Sequence, residues 1–234
     1  MAPPNALPIY QRTAERLIRE IAVGRLLDGE RLPPERDMAA ALGISVGTLR
    51  KSLADLQERG LLERRQGSGN YIRHVPEAAG VYAFFRLELA EGGGGLPTAD
   101  VLSVGRRAKP AGAPGFGPSP EAHRIRRLRS VGGLPAALEE IWLDGDRTDE
   151  IRPSDLSESL YLYYRDRLNL VISRAEDRVG LAQVPAWTVP EFPKGRGKTV
   201  GYVDRTGVDQ DGEPVEYSRT WFDPDRVRYV SRLR

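Results

Sequence analysis

The chain has 234 residues with 35 Lys+Arg against 33 Asp+Glu, which is room for one large or two small domains, each able to bury a core. It contains no cysteine and two histidines, His74 and His123; this excludes thiolate zinc, iron–sulfur and Cys-nucleophile chemistry, argues against a poly-His metal site, and fits a reducing compartment. No stretch approaches the roughly 18–20 uninterrupted apolar residues of a membrane helix, and the opening Met-Ala-Pro-Pro-Asn lacks the basic and apolar regions of a leader, so a soluble cytoplasmic protein without metal, cofactor or membrane partner is expected.

Residues 1–75 hold 12 Lys+Arg against 9 Asp+Glu, a modest basic excess that the remainder lacks. Its meaning depends on clustering on one face, not on the sum. From Pro8 to about Ala22, Ala14, Leu17, Ile18 and Ile21 recur at helical spacing with Arg12, Arg16, Arg19 and Glu20 opposite. Pro33-Pro34 fits the start of a second helix, and Gly43 after Met38–Leu42 fits a left-handed C-terminal cap. Ser45 is the N-cap expected for a third helix with the inward stripe Leu49, Leu53 and Leu56, closed by Gly60. Leu61–Arg65, the turn Gln66-Gly67-Ser68-Gly69 and Asn70–Arg73 then read as a hairpin.

Residues 74–80 lose periodicity and carry Pro and Gly, which places a domain boundary there, with 76–80 as the linker between domains 1–75 and 81–234. Beyond it, strand-like runs are expected at Val81–Leu89, Ala99–Val104, Ile125–Arg129, Ala136–Leu143, 199–204, 214–222 and 226–233. A hairpin centres on Val131-Gly132-Gly133, a helix is expected over Ser157–Leu168, and a shorter one over Val184–Phe192 is weakened by Pro185 and Pro190. Short turns favour antiparallel pairing, so the second domain is mixed α+β.

Helix, helix, helix and hairpin is the plan of a winged helix-turn-helix, whose last helix enters the major groove of double-stranded DNA while the wing touches the adjacent backbone. Arg36, Arg50, Lys51, Arg64, Arg65 and Arg73 can reach phosphates or base edges. Gly67 and Gly69 have no Cβ to hold the wing tip away from the sugar–phosphate, and Ser68 can donate to it. Any one of these arginines is more simply read as solvating an amphipathic helix; the set at this spacing is harder to explain so. Leu32-Pro33-Pro34-Glu35-Arg36-Asp37-Met38-Ala39, Leu42-Gly43-Ile44-Ser45, Thr48-Leu49-Arg50-Lys51-Ser52-Leu53, Gly60-Leu61-Leu62 and Arg65-Gln66-Gly67-Ser68-Gly69 closely resemble the DNA-binding domain of GntR-family bacterial transcription regulators. The resemblance assigns base and phosphate contacts to Arg36, Ser45, Thr48, Arg50, Gln66 and Gly67. The family usually has Arg directly after the Ser, where this chain has Val46 followed by Gly47. Losing that guanidinium removes a bidentate contact of about 1–3 kcal/mol, so operator preference should depart from the family average. Gly47 costs a helix about 0.5–1 kcal/mol relative to Ala, which fits either a close backbone approach or a steric need within the turn.

The second domain resembles the HutC-type effector domain (UTRA), with a chorismate-lyase-like fold, through Leu96–Leu102, Ile125–Arg129, Gly133-Leu134-Pro135 with Glu139, Asp155-Leu156 with Ser159-Leu160-Tyr161, and Asp211–Tyr217. By period-2 alternation Arg127 and Arg129 face one way and Glu139 meets them across the hairpin, which reads either as a clamp for an anionic, hydroxylated ligand or as an exposed cross-strand salt bridge. Ser159 falls in the first turn of a helix, where free N–H groups attract anions, with Tyr161 nearby. The resemblance assigns effector contacts to Arg127, Arg129, Glu139, Ser159, Tyr161 and Glu216, and places Phe222 where related regulators can have Tyr. It implies a homodimeric repressor that binds a two-fold symmetric operator and releases it when a small polar or anionic metabolite (sugar phosphate, amino sugar or carboxylate) is bound. Two alternatives stand beside it: a small-molecule enzyme on the lyase-like scaffold with Glu139 as acid or base, and a regulator of an apolar, fatty-acid-like effector.

Overall fold

The computed structural model describes residues 8–22, 25–73, 84–92, 97–156 and 159–231, so the proposed linker 76–80 and the expected start of a strand at 81–83 lie outside the described residues. The chain divides into two compact units, Ala6–Arg86 and Leu87–Val230.

The first unit contains α1 (Ile9–Ala22), α2 (Glu35–Ala41), α3 (Val46–Glu58), β1 (Leu62–Arg65) and β2 (Gly69–Ile72). The helix boundaries have local causes. The Ser45 side chain accepts from the Thr48 N–H, and Gly43 and Gly60 take φ of +65° and +73° after α2 and α3, a conformation that costs glycine little. The second helix starts at Glu35, with Pro34 as its N-cap, rather than at the proline pair itself. Leu17, Ile18 and Ile21 of α1 pack against Leu49, Leu53 and Leu56 of α3, closed by Leu61, Leu62 and Ile72 of the hairpin. Full burial stabilises each such side chain by about 1.5–3 kcal/mol. Ser52, on the buried side of α3, donates to the Tyr10 carbonyl at 2.8 Å, so its hydroxyl is satisfied inside this core. The loop before α2 pairs with the hairpin as well, through Leu32 N–H to Asn70 O and Ile72 N–H to Glu30 O, both 2.9 Å.

The second unit contains β3 (Leu87–Leu89), β4 (Pro97–Ala108), β5 (Glu121–Val131), β6 (Leu134–Asp144), α4 (Leu160–Leu168), β7 (Ile172–Gln183), β8 (Thr199–Asp209), β9 (Pro214–Phe222) and β10 (Val227–Tyr229). Six strands form an antiparallel sheet in the order β4-β5-β6-β9-β8-β7, and β3 and β10 form a separate ribbon. Gly132 and Gly133, at φ +61° and +82°, connect β5 to β6, as a two-residue hairpin with positive φ at both positions requires. Four expectations need correction, the first being the strand expected over Val81–Leu89, which among the described residues is confined to Leu87–Leu89. The strands expected at 99–104, 125–129, 136–143 and 199–204 are several residues longer. The segment 184–192 is not helical: it runs as turns across the sheet and buries Val184 and Phe192 against Leu128, Leu138, Val200 and Trp221, and its two prolines remove the N–H groups a helix would use. The last strand is limited to Val227–Tyr229. The long edge strand β7 had no counterpart in the sequence reading.

The register divides the sheet into two faces. One carries the rows Arg129–Ala137–Phe222–Gly201, Arg127–Glu139–Thr220–Val203, Ile125–Ile141–Ser218–Arg205–Asp177 and His123–Leu143–Glu216–Gly207. The other carries Leu128–Leu138–Trp221–Tyr202, Arg126–Glu140–Arg219–Asp204 and Arg124–Trp142–Tyr217–Thr206.

Candidate nucleic-acid interface and effector site

In the helical unit the exposed side of α3 presents Gly47, Arg50 and Lys51; Arg36 of α2 and Gln66 and Gly67 at the hairpin tip are exposed as well. Glu35, at the start of α2, ties these parts together. It accepts from Arg50 Nε at 2.7 Å and lies 3.6 Å from an Arg64 guanidinium nitrogen of β1. Its carboxyl is held below the usual range, chiefly by the Arg50 hydrogen bond against the opposing effect of burial. Arg50 nonetheless stays 66% exposed, so its guanidinium is oriented but open. Ser45 is occupied as a cap: its Oγ accepts from the Thr48 N–H at 3.1 Å and lies 2.8 Å from Thr48 Oγ1. Val46 is half-buried and packs against the helical core, which explains why an apolar residue is stable there. A Cβ on Gly47 would meet only Ser45 Oγ, at 3.9 Å, so the fold has no steric need for glycine at this position and the close-approach reading is favoured. At the hairpin, Arg65 lies over the Tyr71 ring at 4.3 Å and donates to Glu63 at 3.0 Å, while Ser68 and Tyr71 share a 2.7 Å hydrogen bond. Gly67 has φ +73° and Gly69 φ +125°, which other residues rarely adopt.

In the sheet unit the cross-strand register brings Arg127, Arg129 and Glu139 together as expected, and the group is buried. Arg127 donates to Glu139 Oε2 at 3.1 Å from Nε and 2.8 Å from a terminal nitrogen, and Arg129 Nε donates to Oε1 at 3.1 Å. Burial would raise the Glu139 pKa, but Arg129 and Arg127 outweigh it and hold the carboxyl at about 2. The exposed salt bridge that the alternation also allowed is therefore not what forms. On β9, the strand next to that of Glu139, Glu216 accepts from Tyr161 at 2.8 Å, and its pKa is raised because burial outweighs its tyrosine and arginine neighbours. Burial and then Glu216 push the Tyr161 phenol well above its ordinary value, so it stays a neutral donor.

A terminal nitrogen of Arg127 on this face is buried with no hydrogen-bond partner among the described residues, while the Tyr164 hydroxyl faces Glu216, and hydrogen bonding from Tyr164 and Tyr161 works against the effect of burial on the Glu216 carboxyl. Leaving such a nitrogen unpaired costs about 1–3 kcal/mol. Ser159 is the N-cap of α4, its Oγ accepting from the Leu162 N–H at 3.3 Å, one position before the first turn in which it was expected. Phe222 lies over Gly201, where a Cβ would come within 2.2 Å of the ring; it brings an apolar edge to the Arg129 row. Sequence reasoning missed Tyr164, one helical turn after Tyr161, and the Arg205–Asp177 pair, bidentate at 2.5 and 2.6 Å and joined by the Tyr229 hydroxyl at 2.5 Å.

No group of His, Cys, Asp and Glu among the described residues is arranged to hold a metal, and no described helix is long and apolar enough to cross a membrane. Residues 9–72 match the family model described as bacterial regulatory proteins, gntR family, and residues 93–228 match the UTRA domain. The chain is 64% identical over 230 residues to the HTH-type transcriptional regulator SmoD of Agrobacterium fabrum, covering 98% of each chain. It is 26% identical over 248 residues to the mannosyl-D-glycerate transport/metabolism system repressor MngR of Escherichia coli, covering 95% of each. The ligand-binding domain of a putative GntR-family transcriptional regulator from Bordetella bronchiseptica shares the fold of the sheet unit, with a TM-score of 0.56 at 22% identity over 64% of this chain and 98% of that one. These relatives are named as regulators and repressors, not as enzymes. A winged helical unit that presents arginine and glycine outward, followed by a sheet that buries Arg127, Arg129, Glu139 and Glu216 on one face, joins these matches: the chain belongs to the GntR family of bacterial transcriptional regulators, of the HutC type, with a DNA-binding domain and a small-molecule-binding UTRA domain.

Proposed function

We propose that the protein is a cytoplasmic, homodimeric repressor that binds a two-fold symmetric operator and releases it when a small anionic, hydroxylated metabolite enters the sheet domain. In this reading residues 1–75 bind DNA through Arg36, Ser45, Val46, Gly47, Thr48, Arg50, Lys51 and the wing Arg65–Gly69. Residues 81–234 bind effector and dimerise, and 76–80 link the two. One recognition helix reads only a few base pairs, so paired half-sites are what give useful affinity.

The observation that carries the effector reading is the buried Arg127 nitrogen with no partner among the described residues, on the same face as the buried Glu216 and its tyrosines Tyr161 and Tyr164: a guanidinium donor for an anionic group, beside phenols and a carboxylate that can exchange their mutual bonds for a ligand hydroxyl or amine. The name of MngR refers to a glycosylated carboxylate, a compound of the same chemical kind. The buried charged side chains Arg127, Arg129, Glu139 and Glu216 on this face disfavour the apolar-effector alternative.

The test is calorimetric titration of wild type and Arg127→Ala with sugar phosphates, amino sugars and carboxylates, alongside an operator-release assay. Arg127→Ala should lose about 2–5 kcal/mol of effector affinity and still bind operator, giving a repressor that no longer releases. Binding and release like wild type would refute the pocket assignment. Arg50→Ala in the same release assay should weaken operator binding relative to random DNA; equal operator affinity would refute the recognition-helix assignment.

A further inference from the structure

The opposite face of the six-stranded sheet holds a second concentration of charge that the effector reading does not use. Arg124 and Arg126 of β5 point to this face, and Arg107 of β4 lies beside them, its guanidinium folded back to 3.6 Å from the Cβ position of Gly105, the Cα partner of Arg124. Arg126 donates to the buried Glu140 at 2.7 Å, and Glu140 also takes Arg219 and the Trp142 indole N–H. That leaves Arg124 and Arg107 without a carboxylate within ion-pair distance among the described residues; Arg107 donates only to the Arg106 carbonyl. The half-buried Arg124 has a buried Nε with no partner among the described residues. Burial first, then Arg126 and Arg107, disfavour its charged form, with Glu140 opposing. Asp204 is the Cα partner of Arg219 but forms no ion pair with it. The walls are aromatic: Arg124 lies 5.8 Å from the Trp142 ring, Arg126 4.7 Å from Trp187 and Arg219 5.7 Å from Trp221.

We propose that Arg107, Arg124 and Arg126 form a second anion site, distinct from the effector site and on the other side of the same strands, that takes a small oxyanion (phosphate, sulfonate or carboxylate) with Trp142 and Trp187 as its apolar walls. A protein that only needed cross-strand ion pairs would match each arginine with an acid, as Glu140 does for Arg126 and Arg219. Of these three neighbouring guanidiniums only Arg126 has a carboxylate within ion-pair distance among the described residues, and an oxyanion that accepts from two of them removes their repulsion and satisfies the Arg124 Nε. Half exposure leaves a way in.

The chain's three tryptophans, Trp142, Trp187 and Trp221, all stand at this cluster, so intrinsic fluorescence reports it directly. The test titrates inorganic phosphate against chloride at constant ionic strength into the full chain. Wild type should show a saturable change in tryptophan emission and a rise in Tm. Arg124→Gln should weaken the apparent affinity about tenfold or more, and Arg127→Ala, on the effector face, should leave it unchanged, which separates this site from the effector reading. If Arg124→Gln does not fold, the exposed Arg107→Gln takes its place and should weaken binding in the same direction. A linear, unsaturated response, or equal responses from wild type and the Arg124→Gln or Arg107→Gln variant, means an adventitious ion only and overturns the proposal; loss in Arg127→Ala alone assigns the phosphate to the effector site and overturns it equally.

Discussion

Replacing Glu139 by Gln is the sharpest test of the buried triad, because Arg127 and Arg129 both pair with this carboxylate. The folded-state carboxyl lies at about 2 instead of 4.5, a displacement that corresponds to about 3 kcal/mol of stability. A carboxyl depressed on folding contributes fully above its unfolded pKa, so this contribution is present at neutral pH and is lost as pH falls from about 4.5 toward 2. The Gln variant loses it at every pH and also leaves two guanidiniums buried beside each other, so the total cost at pH 7 should be about 3–5 kcal/mol. Urea unfolding of both proteins between pH 7 and pH 2 is the assay. Other paired carboxyls titrate in the same window in both chains, so the difference between the curves isolates Glu139. That difference should be largest at pH 7 and shrink toward pH 2. A difference below about 1 kcal/mol at pH 7, or one that stays constant to pH 2, refutes the reasoning.

Glu216→Gln should behave in the opposite way. The Glu216 pKa is raised on folding, so its contribution is greatest below the unfolded pKa and falls as pH rises through the folded value; the amide should therefore leave stability at pH 7 equal or higher in urea unfolding while abolishing effector-driven operator release. Gly47→Ala should raise thermal stability by about 0.5–1 kcal/mol, since a Cβ fits there, yet weaken operator binding in a fluorescence-anisotropy titration; unchanged binding would show that the backbone at Gly47 is not approached by DNA. Gly201→Ala should cost about 1–3 kcal/mol by overpacking against Phe222, and a double-mutant cycle with Phe222→Leu should recover part of the loss in thermal unfolding.

Where a residue's role was local, it was legible in the sequence. Ser45, Gly43 and Gly60 mark helix ends through caps and positive φ, Leu49, Leu53 and Leu56 mark a buried stripe, and Gly132-Gly133 marks a two-residue hairpin, from which the Arg127–Glu139 pairing follows by register. What depended on long-range pairing was not legible. The strand β7 carries Arg174, Glu176, Asp177 and Arg178, and as an edge strand it is largely exposed, so no buried alternation marks it. Asp177 gains its meaning only when β8 brings Arg205 against it, 28 residues later. The apolar residues of 184–192 do pack on the sheet, but as a strap of turns fixed by tertiary contacts, which helical periodicity cannot anticipate. Tyr164 was within reach: it stands at i+3 from Tyr161 and so on the same side of α4, and its ring lies 5.7 Å from that of Tyr161.

The two buried glutamates separate binding from scaffolding. Glu139 is ionised and fully engaged, and an ion triad of this kind, if it served only the fold, could be exchanged for apolar residues at little or no cost. Glu216 is the informative partner. Its pKa moves the other way because burial outweighs the hydrogen bonds of Tyr164 and Tyr161, and an Arg127 nitrogen on the same face is buried without a partner among the described residues. A structural network would relax until that nitrogen met an acceptor, because an unmade hydrogen bond costs more than a side-chain rotation. On the proposed effector reading, that nitrogen is held on β5 for an acceptor that a third molecule supplies. On the same reading, the two carboxyls of this face are displaced in opposite directions, and the specificity of the domain falls to Arg127 and the Glu216–tyrosine group more than to the arginine–glutamate pairing that the sequence announces first.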